Sequence, residues 1–211
     1  MKLPLLNIEG SKKETVEVSD KIIKLKVNHK LIKFVLDWQL NHAKPRTAKT
    51  KQRNQIRGST KKIVAQKGSG GARHASKKAP LFVGGGVAHG PKGNVYKVKK
   101  INKKVRKLAI AQTLSKKNSD KRLFILADVK KEIKKTKEFN KFLEKNNLEN
   151  VLIISDSDSL KNINRSAKNI KNVKIIKDEG TNVYDLFNYR NVLLTSSSVK
   201  KIQSRILNEK N

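Results

Sequence analysis

Between Asp37 and Asp120 the chain contains no acidic residue, yet that interval holds 22 of its 50 Lys and Arg residues. The flanks differ. Residues 1–37 carry eight Lys against five acids, and residues 120–211 carry 20 Lys and Arg against 12 acids. Two thirds of a formal net charge of +33 is therefore concentrated in about two fifths of the chain. A solvated helix face ordinarily interleaves the two signs and pairs them along its length. A block without acids repels itself in a compact fold and attracts polyanions. Nucleic acid is the first partner this implies, ahead of an anionic membrane surface or an acidic protein. The plain alternative, a basic tail with no specific target, fits poorly because the block is internal and both flanks carry folding patterns.

Composition narrows the classes further. With 36% hydrophobic and 5% aromatic residues in 211, the apolar supply is thin, so part of the chain is expected outside any core. The absence of cysteine excludes disulfides and cysteine-based zinc sites. The longest apolar runs, Leu123–Ala127 and Val151–Ile154, have the length of buried strands and not of membrane spans. Asn7 and Glu9 interrupt the first apolar stretch, and Glu9, Glu14, Glu17 and Asp20 precede the first arginine, Arg46. Neither a signal peptide nor a mitochondrial presequence fits, and a cytoplasmic protein without a membrane partner is expected.

Local patterning predicts short strands over Leu3–Ile8 and Glu14–Val18, turning around Gly10-Ser11. Asn28 is placed to cap a helix running to about Ala43, with Leu31, Phe34, Val35 and Trp38 at helical spacing. Trp38 reads as a core residue before it reads as a binding platform. Order resumes at Ile101, where Ile101, Val105, Leu108 and Gln112 form one stripe flanked by Ala109 and Ala111. Strands then alternate with helices: Arg122–Ala127, Thr136–Lys145, Val151–Ser155, Ser159–Lys168, Val173–Ile176, Val183–Phe187, Val192–Thr195 and Val199–Asn208. The expected fold class is α/β, a mostly parallel sheet with helices on both faces. One globular domain is assembled from residues 1–43 and 101–211. Residues 44–100 form a long extended basic loop that interrupts it.

That loop has no persistent period. It contains Pro45, Pro80 and Pro91 and nine of the 11 glycines between Gly58 and Gly93. A connection this long in a compact domain is functional or folds on binding. Out and back, it spans at most roughly 95 Å. Lys and Arg contacts to phosphate release counterions, so affinity falls with salt with a log–log slope of about −0.7 to −0.9 per phosphate neutralised. Candidate RNA contacts are Arg46, Lys49, Lys51, Arg53 and Arg57 on the outward run, and Lys61, Lys62, Lys67 and Arg73 around the first glycine cluster. Lys77, Lys78 and Lys92 follow on the return, with Lys103, Lys104, Arg106 and Lys107 on the next helix. Gly68, Gly70, Gly71, Gly84, Gly85 and Gly86 offer backbone that can approach RNA without a Cβ in the way. They lack the spacing of a dinucleotide fingerprint or a phosphate loop. No helix-turn-helix or zinc finger is visible, so RNA is favoured over DNA.

Two other readings stay open on the residues alone. Asp128 and Asp156 follow predicted strands, where carboxylates can hold magnesium in a phosphate-handling enzyme, or can simply cap the next helix. His29, His42, His74 and His89 share no metal spacing. A general RNA chaperone, whose basic segment never orders, is the third possibility. None of the favoured chemistry requires a cofactor.

Three stretches are familiar together: Gln66–Arg73 (QKGSGGAR), Pro80–Pro91 (PLFVGGGVAHGP) and Lys103–Ala109 (KKVRKLA). They closely resemble the bacterial family of large-subunit ribosomal protein four, and the similarity spans most of the chain. The resemblance implies a structural, non-catalytic protein of the large subunit with its globular domain at the subunit surface. It implies a loop that penetrates 23S-type rRNA, with a tip at Gln66, Lys67, Gly68, Ser69 and Gly70 lining the narrow part of the nascent-peptide exit tunnel beside another ribosomal protein. Early subunit assembly, macrolide response and repression through the protein's own operon leader RNA are further properties of the family. One stretch departs from its pattern: Ile63, Val64 and Ala65 stand where the family has Pro-Trp-Arg, and Gly71 stands for an arginine.

Overall fold

The computed structural model describes residues 2–7, 15–93, 100–129, 132–133 and 135–207. The chain gathers into two units, Met1–Asn41 with Lys100–Asn211, and His42–Lys99. The first is built on a six-stranded sheet. Its elements in chain order are β1 (Lys2–Leu6), β2 (Thr15–Glu17), α1 (Asp20–Ile23), α2 (His29–Ala43), α3 (Lys103–Ser119), β3 (Leu123–Leu126), α4 (Thr136–Lys145), β4 (Val151–Ser155), α5 (Ser157–Ala167), β5 (Val173–Lys177), α6 (Val183–Asn188), β6 (Asn191–Thr195) and α7 (Ser196–Leu207).

Spatial order across the sheet is β2-β1-β3-β6-β4-β5, with β2 antiparallel to β1 and every other pairing parallel. The register sets Leu5 against Ile125, Ile125 against Leu194, and Ile153 against Ile175. Every residue of β4 and β6 is buried, as a parallel sheet covered on both faces requires. Strand alternation divides their side chains. Leu152, Ile154, Val192 and Leu194 join the cluster that includes Ile22, Val35, Leu114 and Val199. Val151, Ile153 and Leu193 join Phe139, Phe142 and Ile163 from α4 and α5. The expected α/β class, with helices on both faces, is the observed one.

Polar groups inside this unit have stated jobs. Ser115 Oγ of α3 donates to Ile22 O at 2.6 Å and accepts from Leu25 N at 3.2 Å. Gln112 Oε1 accepts from Asn28 N at 3.2 Å. These bonds tie the backbone that leads from α1 into α2 to α3 and satisfy its amides. Asn28 Oδ1 in turn accepts from Lys30 N at 3.1 Å, the cap expected of it.

The predicted stripes on α2 and α3 need correction. Ile32 and Val35 are the buried residues of α2, while Phe34 is 58% exposed. On α3, Ile110 and Leu114 are buried and Leu108 is exposed. Apolar residues occur on nearly every face of α2, so spacing alone does not select the inward one. The short helix α1 has no counterpart among the expected elements. The turn at Gly10-Ser11, the strand ends at Ile8 and Glu14, the helix end at Asn208 and residues 94–99 of the basic segment lie outside the described residues.

Candidate nucleic-acid interface

The described residues of His42–Lys99 contain nothing like the sheet unit's core. Among its described residues no hydrophobic side chain is buried, and Ser76 is the buried polar one. Backbone hydrogen bonds hold the segment together. Its outward and returning runs are joined by Gly93 N to Ala48 O at 2.8 Å, Thr50 N to Pro91 O at 2.9 Å, and Val87 N to Lys51 O at 2.9 Å. Farther along, Gly86 N donates to Lys78 O at 3.0 Å and Ile63 N to Ala75 O at 3.1 Å. Consecutive tight turns link Ser76 O, Ala79 O and Phe82 O to the amides three residues on. The stretch that reads as periodless in sequence is thus folded on itself, with one helical turn at Arg53–Gln55.

The triple glycine splits into two roles. Gly84 has φ +81°, a left-handed conformation that costs an ordinary residue roughly 1–2 kcal/mol. Gly85 and Gly86 are needed for space: a Cβ would lie 2.0 Å from Ala79 O at the first and 2.3 Å from Arg53 N at the second. Their close approach is to the protein's own backbone. In the first cluster Gly68 and Gly70 have φ of +87° and +63° and a Cβ there would meet nothing within 4 Å, while one on Gly71 would lie 3.9 Å from Ser69 O. Gln66 accepts a hydrogen bond from Lys62 Nζ, and Ser69 and Lys67 are exposed.

This scaffold displays its cations. Lys49, Lys51, Arg53, Arg57, Lys61 and Lys62 are exposed, as are Lys67, Arg73, Lys77 and Lys92, while Arg46 and Lys78 are half-buried. A cleft of about 520 Å³ brings together Arg57, Lys61, Lys62, Lys77 and Lys78, with Ile56, Ile63 and Val83 supplying its apolar part. No carboxylate exists in the segment to neutralise them. Sequence reading missed the exposed apolar side chains that accompany this charge: Leu81 and Val83 are 66% and 102% exposed. Phe82 is instead held edge-on against His74, with ring centroids 5.0 Å apart.

The sheet unit contributes a second basic surface. On α3, Lys103 and Lys104 are exposed, and Arg106 and Lys107 are half-buried. The Arg106 guanidinium lies over the Trp38 ring, 5.4 Å from its centroid. Trp38 is half-buried, so it is neither the enclosed core residue expected nor a free platform.

Asp128 and Asp156 cap helices. Asp128 Oδ1 accepts from Ser197 N at 3.0 Å and Ser197 Oγ at 2.8 Å at the start of α7. Asp156 caps α5 by accepting from Asp158 N at 3.0 Å. Lys201 lies 3.5 Å from Asp178 and 3.8 Å from Asp156, and these carboxylates, Asp178 first, raise its ammonium above the ordinary lysine value. Among the described residues no three His, Asp or Glu side chains cluster closely enough to hold a metal ion.

Residues 16–205 match the model of the ribosomal protein L4/L1 family. Large ribosomal subunit protein uL4 of Pelagibacter ubique is 48% identical over 206 residues, covering 97% of this chain and 99% of that protein. The proteins of the same name from Desulforapulum autotrophicum and Hyphomonas neptunium are 39% and 34% identical, covering 95% and 97% of this chain and 96% of each relative.

Proposed function

Because the chain belongs to the ribosomal protein L4/L1 family, we propose that His42–Lys99 is the segment through which it binds large-subunit rRNA. The protein is a structural constituent of the large ribosomal subunit of the cytoplasmic ribosome, and not an enzyme. Its partners are rRNA and neighbouring ribosomal proteins.

One observation carries the rRNA reading. The unit has no carboxylate, and its described residues include no buried hydrophobic side chain and display nearly all their cations outward from a glycine-dependent backbone. Such a unit gains little from self-association of apolar groups and much from phosphate. Lys and Arg along both runs neutralise the RNA backbone, and Arg53, Arg57 and Arg73 add planar bidentate contacts that lysine lacks. Lys103, Lys104, Arg106 and Lys107 on α3 offer a separate set of phosphate contacts. Domain roles follow: the sheet unit rests at the subunit surface and the inserted segment enters 23S-type rRNA early in assembly.

The tip at Gln66–Gly70 lines the peptide exit tunnel and meets the nascent peptide. Support for this is the pair of left-handed glycines, Gly68 and Gly70, where a Cβ would meet open space. With Ile63, Val64 and Ala65 preceding it, the tip presents aliphatic groups in place of an aromatic ring and a guanidinium. The same phosphate chemistry serves for binding the protein's own leader RNA.

Gradient fractionation of cell extract tests the assignment. The protein should co-migrate stoichiometrically with the large subunit, and a predominantly free pool would overturn the reading. Limited proteolysis separates a fitted rRNA ligand from a general chaperone. Incorporation into rRNA should abolish cleavage between Lys44 and Lys92, whereas persistent cleavage there favours the chaperone.

A further inference from the structure

A cleft of about 380 Å³ opens in the sheet unit between α2, α3 and the turn that precedes α6. Its lining combines Trp38 with four cations, Lys103, Arg106, Lys107 and Arg205, against one carboxylate, Glu179. Val35 and Ile110, both buried, supply an apolar back wall. The volume lies at the lower end of the range for small-molecule sites.

Its parts are fixed in place before any ligand arrives. Arg205 Nη1 donates to Glu179 O at 2.8 Å and Asp178 O at 3.2 Å, which anchors the guanidinium at the rim. Gln39 Oε1 accepts from Tyr184 N at 3.1 Å, tying α2 to α6 across the cleft. The Arg106 guanidinium carbon lies over the Trp38 ring, 5.4 Å from its centroid, a cation–π contact that places a planar cation beside the cleft's aromatic group. Arg106 Nε is meanwhile buried with no hydrogen-bond partner. An unsatisfied buried donor on a charged group is costly, and an acceptor supplied by a ligand in the cleft relieves it.

We propose that this cleft holds a single unstacked nucleotide of the bound RNA, its base layered on the Arg106–Trp38 pair and its phosphate facing Lys103 and Lys107. Phosphate alone would explain the lysines but not the guanidinium over the ring. An apolar ligand would explain Trp38 but not four cations. A nucleotide carries both a π face and an anion, and unpaired bases splayed from RNA are commonly held on aromatic and arginine planes. The inference rests on the RNA-binding reading above and adds a defined nucleotide position on the sheet unit, separate from the inserted segment.

Trp38 is the only tryptophan in the chain, so its emission reports on this cleft alone. The full-length protein is titrated with adenosine 5′-monophosphate and, separately, with inorganic phosphate at matched ionic strength. Saturable quenching by the nucleotide and none by phosphate is expected. Arg106→Lys keeps the charge and removes the plane, and should weaken nucleotide binding roughly tenfold. Lys141→Ala, an exposed α4 residue that does not line the cleft, should leave the quenching curve unchanged. Absence of saturable quenching, equal quenching by phosphate, or an unaltered Arg106→Lys curve each overturns the proposal. A parallel titration with labelled rRNA fragment, read by anisotropy, separates the two inferences. RNA binding without any change in Trp38 emission sinks the cleft and leaves the RNA reading standing. Saturable nucleotide quenching in a protein that fails to bind rRNA does the reverse.

Discussion

Ile153 and Gly86 are both hidden from solvent, for opposite reasons. Ile153 is enclosed because its side chain meets Phe139, Phe142 and their neighbours on α4 and α5. Gly86 is enclosed because it has no side chain, which lets its backbone lie against Arg53. The sheet unit is held by what its residues bury, and the inserted unit by what its residues omit. In the first, apolar area removed from water supplies the stabilisation. In the second, hydrogen bonds between runs of backbone act with almost no burial, and each contributes only about 0.5–1.5 kcal/mol net. The lesson concerns function as much as stability. A surface that must lie against phosphate cannot spend its positions on apolar side chains, so its shape has to come from glycine and turn geometry.

Substitutions can break this contrast, and the largest effect should come from the core. Phe139→Ala empties a fully buried site and should destabilise the sheet unit by about 3–5 kcal/mol in chemical denaturation. Gly86→Ala should do the converse. Its Cβ would fall 2.6 Å from Arg53 Cα, so the inserted unit must rearrange while the sheet unit keeps its denaturation midpoint. Affinity for an rRNA fragment should drop at least roughly tenfold, a moderate loss for a change that displaces backbone. A lowered midpoint with unchanged RNA affinity would show that the two units do not divide the work in this way.

Removing charge without disturbing shape should act more gently. The double substitution Lys61→Ala with Lys62→Ala should leave stability within about 0.5 kcal/mol. It should reduce the salt slope of RNA binding by about 1.4–1.8 if both ammonium groups neutralise phosphates. An unchanged slope would remove these two lysines from the interface.

The smallest effect is one of pH, and it belongs to the sheet unit alone. Lys117 is buried, and that desolvation, with Arg122 nearby, holds its ammonium below the ordinary value, Asp120 opposing. The native state therefore releases this proton at lower pH than the unfolded chain does. Bound protons are then more numerous in the unfolded state, and stability rises with pH in the window just below 10.5. Lys201, raised by Asp178 and Asp156, contributes stability below 10.5 that is lost as pH climbs past its folded value. Denaturation midpoints across that range should show the rise, and Lys117→Arg, which keeps its proton, should flatten it.

Much of the sheet unit was legible in advance because its patterns are unambiguous. Phe139, Phe142 and Leu143 recur at helical spacing in a polar background, and α4 spans Thr136–Lys145 as that spacing predicts. Val151–Ser155 is an apolar run too short for a helix, and it is β4. Where apolar residues crowd every face, as on α2, the inward side depends on partners that no local pattern identifies. The inserted unit divides similarly. Its charge is written in the absence of acids, but the tasks of Gly85 and Gly86 depend on where Ala79 and Arg53 come to rest. Those positions are set by long-range backbone bonds. Trp38 was misjudged for the same reason, since its neighbour Arg106 is remote in sequence.

The pairing of β1 with β3 has a consequence for the order of events during synthesis. Leu5 meets Ile125, and Ser115 reaches back to Ile22. The first strand and first helix thus leave the translating ribosome long before the strand and helix that complete them. Each doubling of the intervening length adds only about 0.6 kcal/mol to the entropy of closure, so the delay is kinetic and scarcely thermodynamic. Long separations of this kind slow folding. Within the stretch from β3 to α7 only β4 and β5 are successive strands that pair, whereas β3 must wait for β6, the last strand to emerge.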